Sequence, residues 1–164
     1  MKLIVAVDKN WGIGKDGGLL FSVPEDMKFF RATTIGKVIV VGRKTLESFP
    51  GGRPLKDRVN VVLSKNYEGD GVTVCRSIDE LMRVLGHFSS DDVYICGGGS
   101  VYRALYKYCD EALVTKIDAF KAADAFFPNL DADPDWQLDG IASEIDSGGV
   151  NVKFCRYVNL GKKE

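Results

Sequence analysis

The chain has 164 residues, 22 lysines and arginines against 23 aspartates and glutamates, and a sequence pI near 5.9. The near-zero net charge argues against a protein that binds nucleic acids or anionic membranes, and a hydrophobic content of 45% excludes a disordered chain. No apolar run approaches the roughly 20 residues needed to span a bilayer, so we expect one soluble α/β domain over residues 1–164.

The cysteines and the first residues bear on the compartment. The four cysteines form no C-x-x-C pair, and the single histidine, His87, leaves no zinc-type cluster. The apolar run Lys2–Val7 is too short for a secretory signal and predicts a β-strand instead. We therefore expect a cytoplasmic protein with reduced thiols, no bound metal and an exposed His87.

Apolar runs that are rich in valine and isoleucine alternate with helical patterns along the chain. Consecutive apolar positions are typical of parallel strands that are buried on both faces. Six such strands are predicted, at Lys2–Val7, Lys37–Val41, Arg58–Leu63, Val72–Cys75, Asp92–Cys96 and Glu111–Ile117.

Three helices are predicted between these strands. Pro24 suits the first position of one, Ser77 and Glu80 form a capping box for another, and the third runs from Ser100 to Tyr108. The expected inward residues are Val23, Met27 and Phe30, then Leu81, Val84 and Leu85, then Val101, Ala104 and Leu105.

The end of the chain has a different pattern. Trp136–Ile145 and Val150–Leu160 are extended segments joined by Asp146–Gly149, which is a hairpin signal. The complete pattern predicts a central, mostly parallel sheet with helices on both faces and an antiparallel C-terminal hairpin.

Two glycine motifs need separate interpretations. Gly12–Gly17 matches G-x-G-x-x-G, but Asp8–Trp11 separate it from the preceding strand and no helical pattern opens within it. We interpret it as a mobile loop of the kind that closes over a site, not as a Rossmann motif. Gly97–Gly99 lie directly between a strand and a helix, where backbone N–H groups can approach an anion. A tight turn without a ligand is the alternative for Gly97–Gly99.

Basic and hydroxyl side chains follow two further strands. These clusters are Gly42–Thr45, which contains Arg43 and Lys44, and Ser64–Asn66. Ligands of open α/β sheets bind at the carboxyl ends of strands, so neighbouring strands would bring both clusters into one phosphate pocket. Such a pocket suits the 2′-phosphate of an NADP-type nucleotide, whereas solvated basic loops are the alternative.

An acidic residue shares a helix face with two aromatic residues. Asp26 lies three and four residues before Phe29 and Phe30. An apolar environment raises the pKa of a carboxyl group, which makes Asp26 a candidate proton donor or an anchor for a cationic heterocycle. The alternative is that Asp26, like Glu25, only complements the dipole of the first helical turn.

An ordered series of motifs then covers residues 2 to about 160. The motifs are Ala6, Gly12–Gly17, Val23–Asp26, Gly42–Pro50, Arg53–Leu55, Ile95–Tyr102 and Asp124–Pro128. This set resembles bacterial dihydrofolate reductase. The resemblance implies an eight-stranded sheet and an NADPH-dependent reduction of 7,8-dihydrofolate to tetrahydrofolate. It further implies that antifolate inhibitors bind a cytoplasmic, monomeric enzyme.

The resemblance also implies roles for matching residues. Asp26, supported by Thr115, would hydrogen-bond the pterin and promote protonation of N5 while NADPH delivers hydride to C6. Leu20 and Phe21 complete the catalytic set. Arg58 would bind the glutamate α-carboxylate in a bidentate manner. The other implied substrate-binding residues are Ile4, Val5, Met27, Phe30, Phe49, Arg53, Leu55 and Cys96.

For the cofactor, the resemblance implies a lid at Ile13–Leu20 that closes over the nicotinamide and excludes water. The Gly97–Tyr102 segment would cradle the pyrophosphate, and cations near Arg43 would bind the adenosine phosphates. The implied cofactor-binding residues are Ala6, Ile13, Gly14, Lys15, Asp16, Gly17, Gly18, Leu19, Gly42, Arg43, Lys44, Thr45, Leu63, Ser64, Lys65, Arg76, Cys96, Gly97, Gly98, Gly99, Ser100, Val101 and Tyr102.

Three residues depart from the family pattern. Phe21 replaces the usual Trp, Cys96 replaces the common Ile or Phe, and Lys56 replaces a Pro, so the loop that presents Arg58 is expected to be less rigid. Two other functions stay open: a riboflavin-pathway NADPH reductase of the same fold, and a non-catalytic pteridine- or nucleotide-binding module. Asp26 and the placement of Arg58 argue against the first.

Overall fold

The computed structural model describes all 164 residues. In chain order the strands are β1 (Lys2–Val7), β2 (Gly12–Lys15), β3 (Gly18–Leu19), β4 (Val38–Gly42), β5 (Val59–Leu63), β6 (Thr73–Cys75), β7 (Val93–Gly97), β8 (Glu111–Ile117), β9 (Ala125–Phe126), β10 (Trp136–Ser147) and β11 (Val150–Asn159). The helices are α1 (Pro24–Thr34), α2 (Arg43–Ser48), α3 (Ile78–Leu85) and α4 (Gly99–Leu105). Short 3₁₀ turns lie at Pro50–Gly52, Ser90–Asp92 and Tyr106–Tyr108.

Eight strands form the central sheet, in the order β10-β11-β8-β1-β7-β4-β5-β6. All neighbours from β8 to β6 pair in parallel, whereas β11 pairs antiparallel with both β8 and β10. This arrangement confirms the predicted sheet and its C-terminal hairpin. A second, small sheet in the order β3-β2-β9 was not predicted.

Alternate residues of the parallel strands face opposite sides of the sheet. Leu3, Val5 and Val7 of β1 belong to the main core, together with residues of α3 and α4. On the other face, Leu46 of α2 packs in a smaller cluster with residues of β4 and β5. Helices therefore cover both faces, as the uninterrupted apolar runs predict.

The prediction of an inward position is wrong for two residues, Met27 and Ala104. Met27 is 55% exposed, because α1 lies above an open cleft and buries only Thr34 completely. Ala104 is also exposed, whereas Tyr102, which was not among the expected inward residues of this helix, is buried. The Ser77 half of the predicted capping box is confirmed, since the hydroxyl oxygen of Ser77 accepts a hydrogen bond from the Glu80 amide at 3.1 Å. The Glu80 carboxylate accepts from the Arg76 amide at 2.8 Å and not from the Ser77 amide.

Element boundaries differ from the predictions by a few residues. Most predicted strands begin or end one residue too early, and the predicted third helix ends at Leu105 before a 3₁₀ turn. The helix α2 was missed because six residues carry too little periodicity to reveal a helix.

The four cysteines are free; Cys75, Cys109 and Cys155 are buried, and Cys96 is partly buried. His87 is exposed just beyond α3, as predicted. None of the helices has the length and apolar character that crossing a membrane requires.

Candidate active site

The glycine-rich segment at Gly12–Leu19 is a β-hairpin and not an irregular loop. β2 and β3 are joined by Asp16 and Gly17, whose φ angles of 52° and 80° are those of a two-residue type I′ turn. An Asp-Gly pair is a strong hairpin signal, and it could have revealed this element from the sequence. No helix opens within the segment, which agrees with the rejection of a Rossmann motif.

Hydrogen bonds from the β9 segment hold this hairpin. The Asp124 amide donates to the Gly14 carbonyl at 3.0 Å, and the Asp16 amide donates to the Asp124 carboxylate at 2.9 Å. At the base of the hairpin, the buried Asp8 carboxylate accepts from the Gly12 amide at 2.8 Å. The hairpin is therefore tied at its base and near its tip to the body of the protein.

The carboxyl group of Asp26 lies in the cleft between α1 and the sheet. Thr115 is 2% exposed, and its hydroxyl donates to Asp26 Oδ1 at 2.6 Å. Burial raises the pKa of Asp26 above its ordinary value of 3.8, while the Thr115 hydrogen bond opposes that rise. Burial is the larger effect, so the pKa of Asp26 is raised, in the direction that the apolar helix face predicts.

Two further groups define the wall of this cleft. The buried Tyr102 hydroxyl donates to the Ile4 carbonyl at 2.7 Å. Burial raises the pKa of the Tyr102 hydroxyl well above 10. A negative charge on the nearby Cys96 or Asp26 would raise this pKa further. Burial likewise raises the pKa of the Cys96 thiol, so this wall stays uncharged at neutral pH.

The other end of the cleft carries two arginines. Arg58 donates from its guanidinium to the Thr34 hydroxyl at 3.2 Å and to the Lys56 carbonyl at 2.9 Å. Desolvation and the nearby charge of Arg31 lower the pKa of Arg58, although an arginine stays charged at this level. Sequence reasoning did not single out Arg31, which lies five residues after Asp26 on α1.

The loop before Arg58 is held without the proline that the family usually has. The Asn60 side chain is 4% exposed; it accepts from the Leu55 amide at 3.0 Å and donates to the Leu55 carbonyl at 2.9 Å. The expected loss of rigidity at Lys56 is therefore offset by Asn60, a polar residue in a strand whose role the sequence did not reveal.

Neighbouring strands bring the predicted cofactor residues to one edge of the sheet. Gly42 pairs in register with Leu63, Val41 pairs with Gly97, and Leu63 pairs with Cys75. The carboxyl ends of β7, β4, β5 and β6 therefore lie side by side. The segments that follow them are Gly98–Gly99, Arg43–Thr45, Ser64–Lys65 and Arg76, so the condition for a single phosphate pocket is met.

Two glycines at this edge leave no room for a side chain. A β-carbon on Gly98 would lie 3.3 Å from the Thr45 hydroxyl, and one on Gly97 would lie 3.3 Å from the Tyr102 ring at a φ of 119°. A cavity of about 290 Å³ separates the hairpin tip at Gly17 from α2, where Lys44 lies in its wall. The glycine cradle and the row of cations fit the phosphates of a dinucleotide.

The remaining predicted residues divide into three groups. Val5 and Val101 point into the main core and can meet a ligand only through their main chains. Those with exposed side chains or backbone are Lys15, Gly18, Leu19, Met27, Arg53, Lys65 and Ser100. Those that are buried or partly buried near the cleft or the edge are Ala6, Ile13, Leu20, Phe21, Phe30, Phe49, Leu55 and Leu63.

Comparison with known proteins gives one consistent result. The family model described as dihydrofolate reductase matches residues 1–159. The dihydrofolate reductase of Haemophilus influenzae is 36% identical over 163 residues, covering 98% of each chain. Dihydrofolate reductase type 3 of Salmonella typhimurium is 38% identical over 166 residues, covering 99% of this chain and 98% of its own. A solved dihydrofolate reductase from Enterococcus faecalis, complexed with NADP(H) and RAB-propyl, is 31% identical with a TM-score of 0.84, covering 96% of this chain and 95% of that one.

Proposed function

The chain belongs to the dihydrofolate reductase family, and we propose how its residues carry out the NADPH-dependent reduction of 7,8-dihydrofolate to 5,6,7,8-tetrahydrofolate. The enzyme is an oxidoreductase of folate metabolism. We assign the activity to residues 1–164 as one cytoplasmic, monomeric domain. The observation that carries the assignment of roles is the partly buried carboxyl of Asp26, which has a raised pKa and accepts a hydrogen bond from the buried Thr115.

Two transfers complete the reaction. NADPH, when bound along the sheet edge, supplies a hydride to C6 of the pterin and becomes NADP⁺. A proton adds to N5, and Asp26 promotes this step by hydrogen-bonding the pterin. The raised pKa of Asp26 keeps protons available nearer to neutral pH than an exposed aspartate would. The Thr115 hydroxyl orients the Asp26 carboxyl through the 2.6 Å hydrogen bond that it donates to Oδ1.

Substrate recognition uses main-chain carbonyls and one arginine. The carbonyls of Ile4 and Cys96 accept from the pterin amino group, and the Ile4 oxygen also accepts from the Tyr102 hydroxyl at 2.7 Å. Arg58 binds the glutamate α-carboxylate, with Arg53 nearby. The aminobenzoyl ring is held by Met27, Phe30, Phe49 and Leu55.

Cofactor recognition is spread over the sheet edge. Arg43, Lys44 and Lys65 neutralise the adenosine phosphates, and Arg76 is fixed near them by donating to the Ser64 carbonyl at 3.2 Å. The hairpin at Ile13–Leu20 forms the lid over the nicotinamide, where excluding water strengthens the electrostatic interactions of Asp26.

The test is the loss of nicotinamide absorbance with NADPH and dihydrofolate, run beside NADH and a blank without folate. We expect rapid loss only with dihydrofolate, and faster loss with NADPH than with NADH. Tight NADPH binding without turnover of dihydrofolate would contradict the proposal and would favour a ribosylaminopyrimidine substrate or a binding module.

A further inference from the structure

We propose that Lys121 is a positioning residue for hydride transfer, because its main chain and its side chain hold the two ends of the lid. Lys121 lies in the segment between β8 and β9 and is not among the residues that the family pattern marks. The inference rests on the proposed function and on the assignment of the lid to Ile13–Leu20.

The first contact is at the start of the lid. The Lys121 amide donates to Asp8 Oδ2 at 3.3 Å. Asp8 is 4% exposed, and its other carboxylate oxygen accepts from the amides of Asn10 at 2.9 Å and Gly12 at 2.8 Å. Lys121 thus shares one buried acceptor with the residues that lead into β2.

The second contact is at the end of the lid. The Lys121 ammonium donates to the Leu20 carbonyl at 3.3 Å and lies 4.4 Å from the centroid of the Phe21 ring. The Leu20 amide donates to the Ile13 carbonyl at 3.2 Å, which ties this end of the lid back to β2. A single side chain therefore restrains Leu20 and Phe21 through a charged hydrogen bond and a cation–π contact.

Close packing transmits these restraints. A β-carbon on Gly12 would lie 2.9 Å from Ala123 Cβ and 3.0 Å from a Leu20 methyl group. Gly12 therefore packs tightly between Leu20, at the end of the lid, and Ala123, two residues after Lys121. Phe21 packs against the same small cluster as Ala6, and Ala6 pairs in register with Thr115, the partner of Asp26. Releasing Lys121 is expected to loosen the lid over the reacting atoms.

The experiment compares Lys121→Met, which keeps the length of the side chain, with Lys121→Arg, which keeps the cation and its donors. Lys9→Met is the matched control, since Lys9 is an exposed lysine near the lid whose ion pair, at 3.6 Å, is with Asp118. Single-turnover hydride transfer and NADPH release are measured at saturating substrates. We expect Lys121→Met to slow hydride transfer about fivefold and to speed NADPH release, and Lys121→Arg to recover most of both.

A second readout separates positioning from electrostatics and from stability. Lys121 is not among the groups that shift the pKa of Asp26, so the pH midpoint of activity is expected to stay unchanged in Lys121→Met. An unchanged hydride rate with a lowered Tm, a shifted pH midpoint, or an equal loss in Lys9→Met would overturn the proposal. If the wild-type enzyme bound NADPH without turnover, the proposed function would fail and with it the role of Lys121 in hydride transfer. The NADPH release rates would then show only whether Lys121 restrains the lid.

Discussion

The proposed substrate cleft and the proposed cofactor edge differ in how many charged groups they use and in how deeply those groups are buried. In the cleft, the proposed chemistry is concentrated in Asp26, a partly buried carboxyl whose single side-chain partner, Thr115, is fully buried. At the edge, the proposed recognition is divided among several cations such as Arg43, whose side chain is 42% exposed and also paired with Glu47 at 2.5 Å. Water screens each of these cations, so each contributes little by itself.

This difference shows where single substitutions act. Burial changes the pKa of a titratable group through desolvation, and no neighbouring side chain can take over the role of that group. A row of solvated cations tolerates the loss of one member, but it depends on the strand register that lines the cations up. The two regions should therefore respond differently to mutation, pH and salt.

The largest expected effect is in the cleft. Asp26→Asn removes the proton source, so we expect turnover of dihydrofolate at pH 7 to fall about 10²–10³-fold while NADPH affinity stays unchanged. Steady-state kinetics and cofactor titration check both parts. The matched control is Glu25→Gln, an exposed first-turn acid, which should stay near wild-type activity. Wild-type turnover in Asp26→Asn would refute the catalytic assignment.

The next effect is at the edge. Arg43→Ala combined with Lys44→Ala is expected to weaken NADPH binding about tenfold or more and NADH binding far less, because only NADPH carries the 2′-phosphate. Fluorescence titration at two salt concentrations measures both cofactors, and high salt should shrink the difference. Arg83→Ala on α3 is the control. Equal losses for NADPH and NADH would place the 2′-phosphate elsewhere.

A smaller change sharpens the role of burial. Thr115→Val removes the hydrogen bond that lowers the pKa of Asp26 and leaves desolvation unopposed. The pKa of Asp26 should rise further, so the decline of activity with increasing pH should begin at higher pH. The rate at pH 7 is expected to stay within about fivefold of wild type. A decline that moves to lower pH in the rate profile would show that Thr115 acts otherwise.

The smallest effect is on stability. Because burial raises the pKa of Asp26, folding disfavours the ionised carboxyl, and the folded chain loses stability as pH rises through the raised pKa. Asp26→Asn should therefore increase the free energy of unfolding of the ligand-free enzyme at pH 7 by about 1 kcal/mol. Urea unfolding should show the gain disappearing below the ordinary pKa of 3.8. A gain that persists in acid would contradict this origin.

Much of the fold was predictable because its strands are buried on both faces. Short runs of consecutive β-branched residues, such as Val38–Val41, are typical of strands that are covered on both faces. They predicted the positions of the central strands to within about one residue. Short elements escaped prediction, since β3 and β9 have two residues each and show no periodicity. Met27 was misplaced because a helix pattern does not reveal whether its apolar face meets a core or an open cleft.

Local sequence patterns were enough to predict six strands of the central sheet, three helices and the C-terminal hairpin in their order along the chain. They also revealed the basic clusters that follow β4 and β5, and an acid on an apolar helix face. The contacts that surround those groups depend on the tertiary structure. Thr115 of β8 and Asp26 of α1 lie 89 residues apart in the chain and are joined by a hydrogen bond of 2.6 Å. Three other contacts also join distant or irregular segments. They are the pairing of β4 with β5, the hydrogen bonds between Asn60 and Leu55, and the hydrogen bond from Lys121 to the Leu20 carbonyl. Burial and long-range contacts set the pKa values and positions of these groups, and neither is a property of a local stretch of chain.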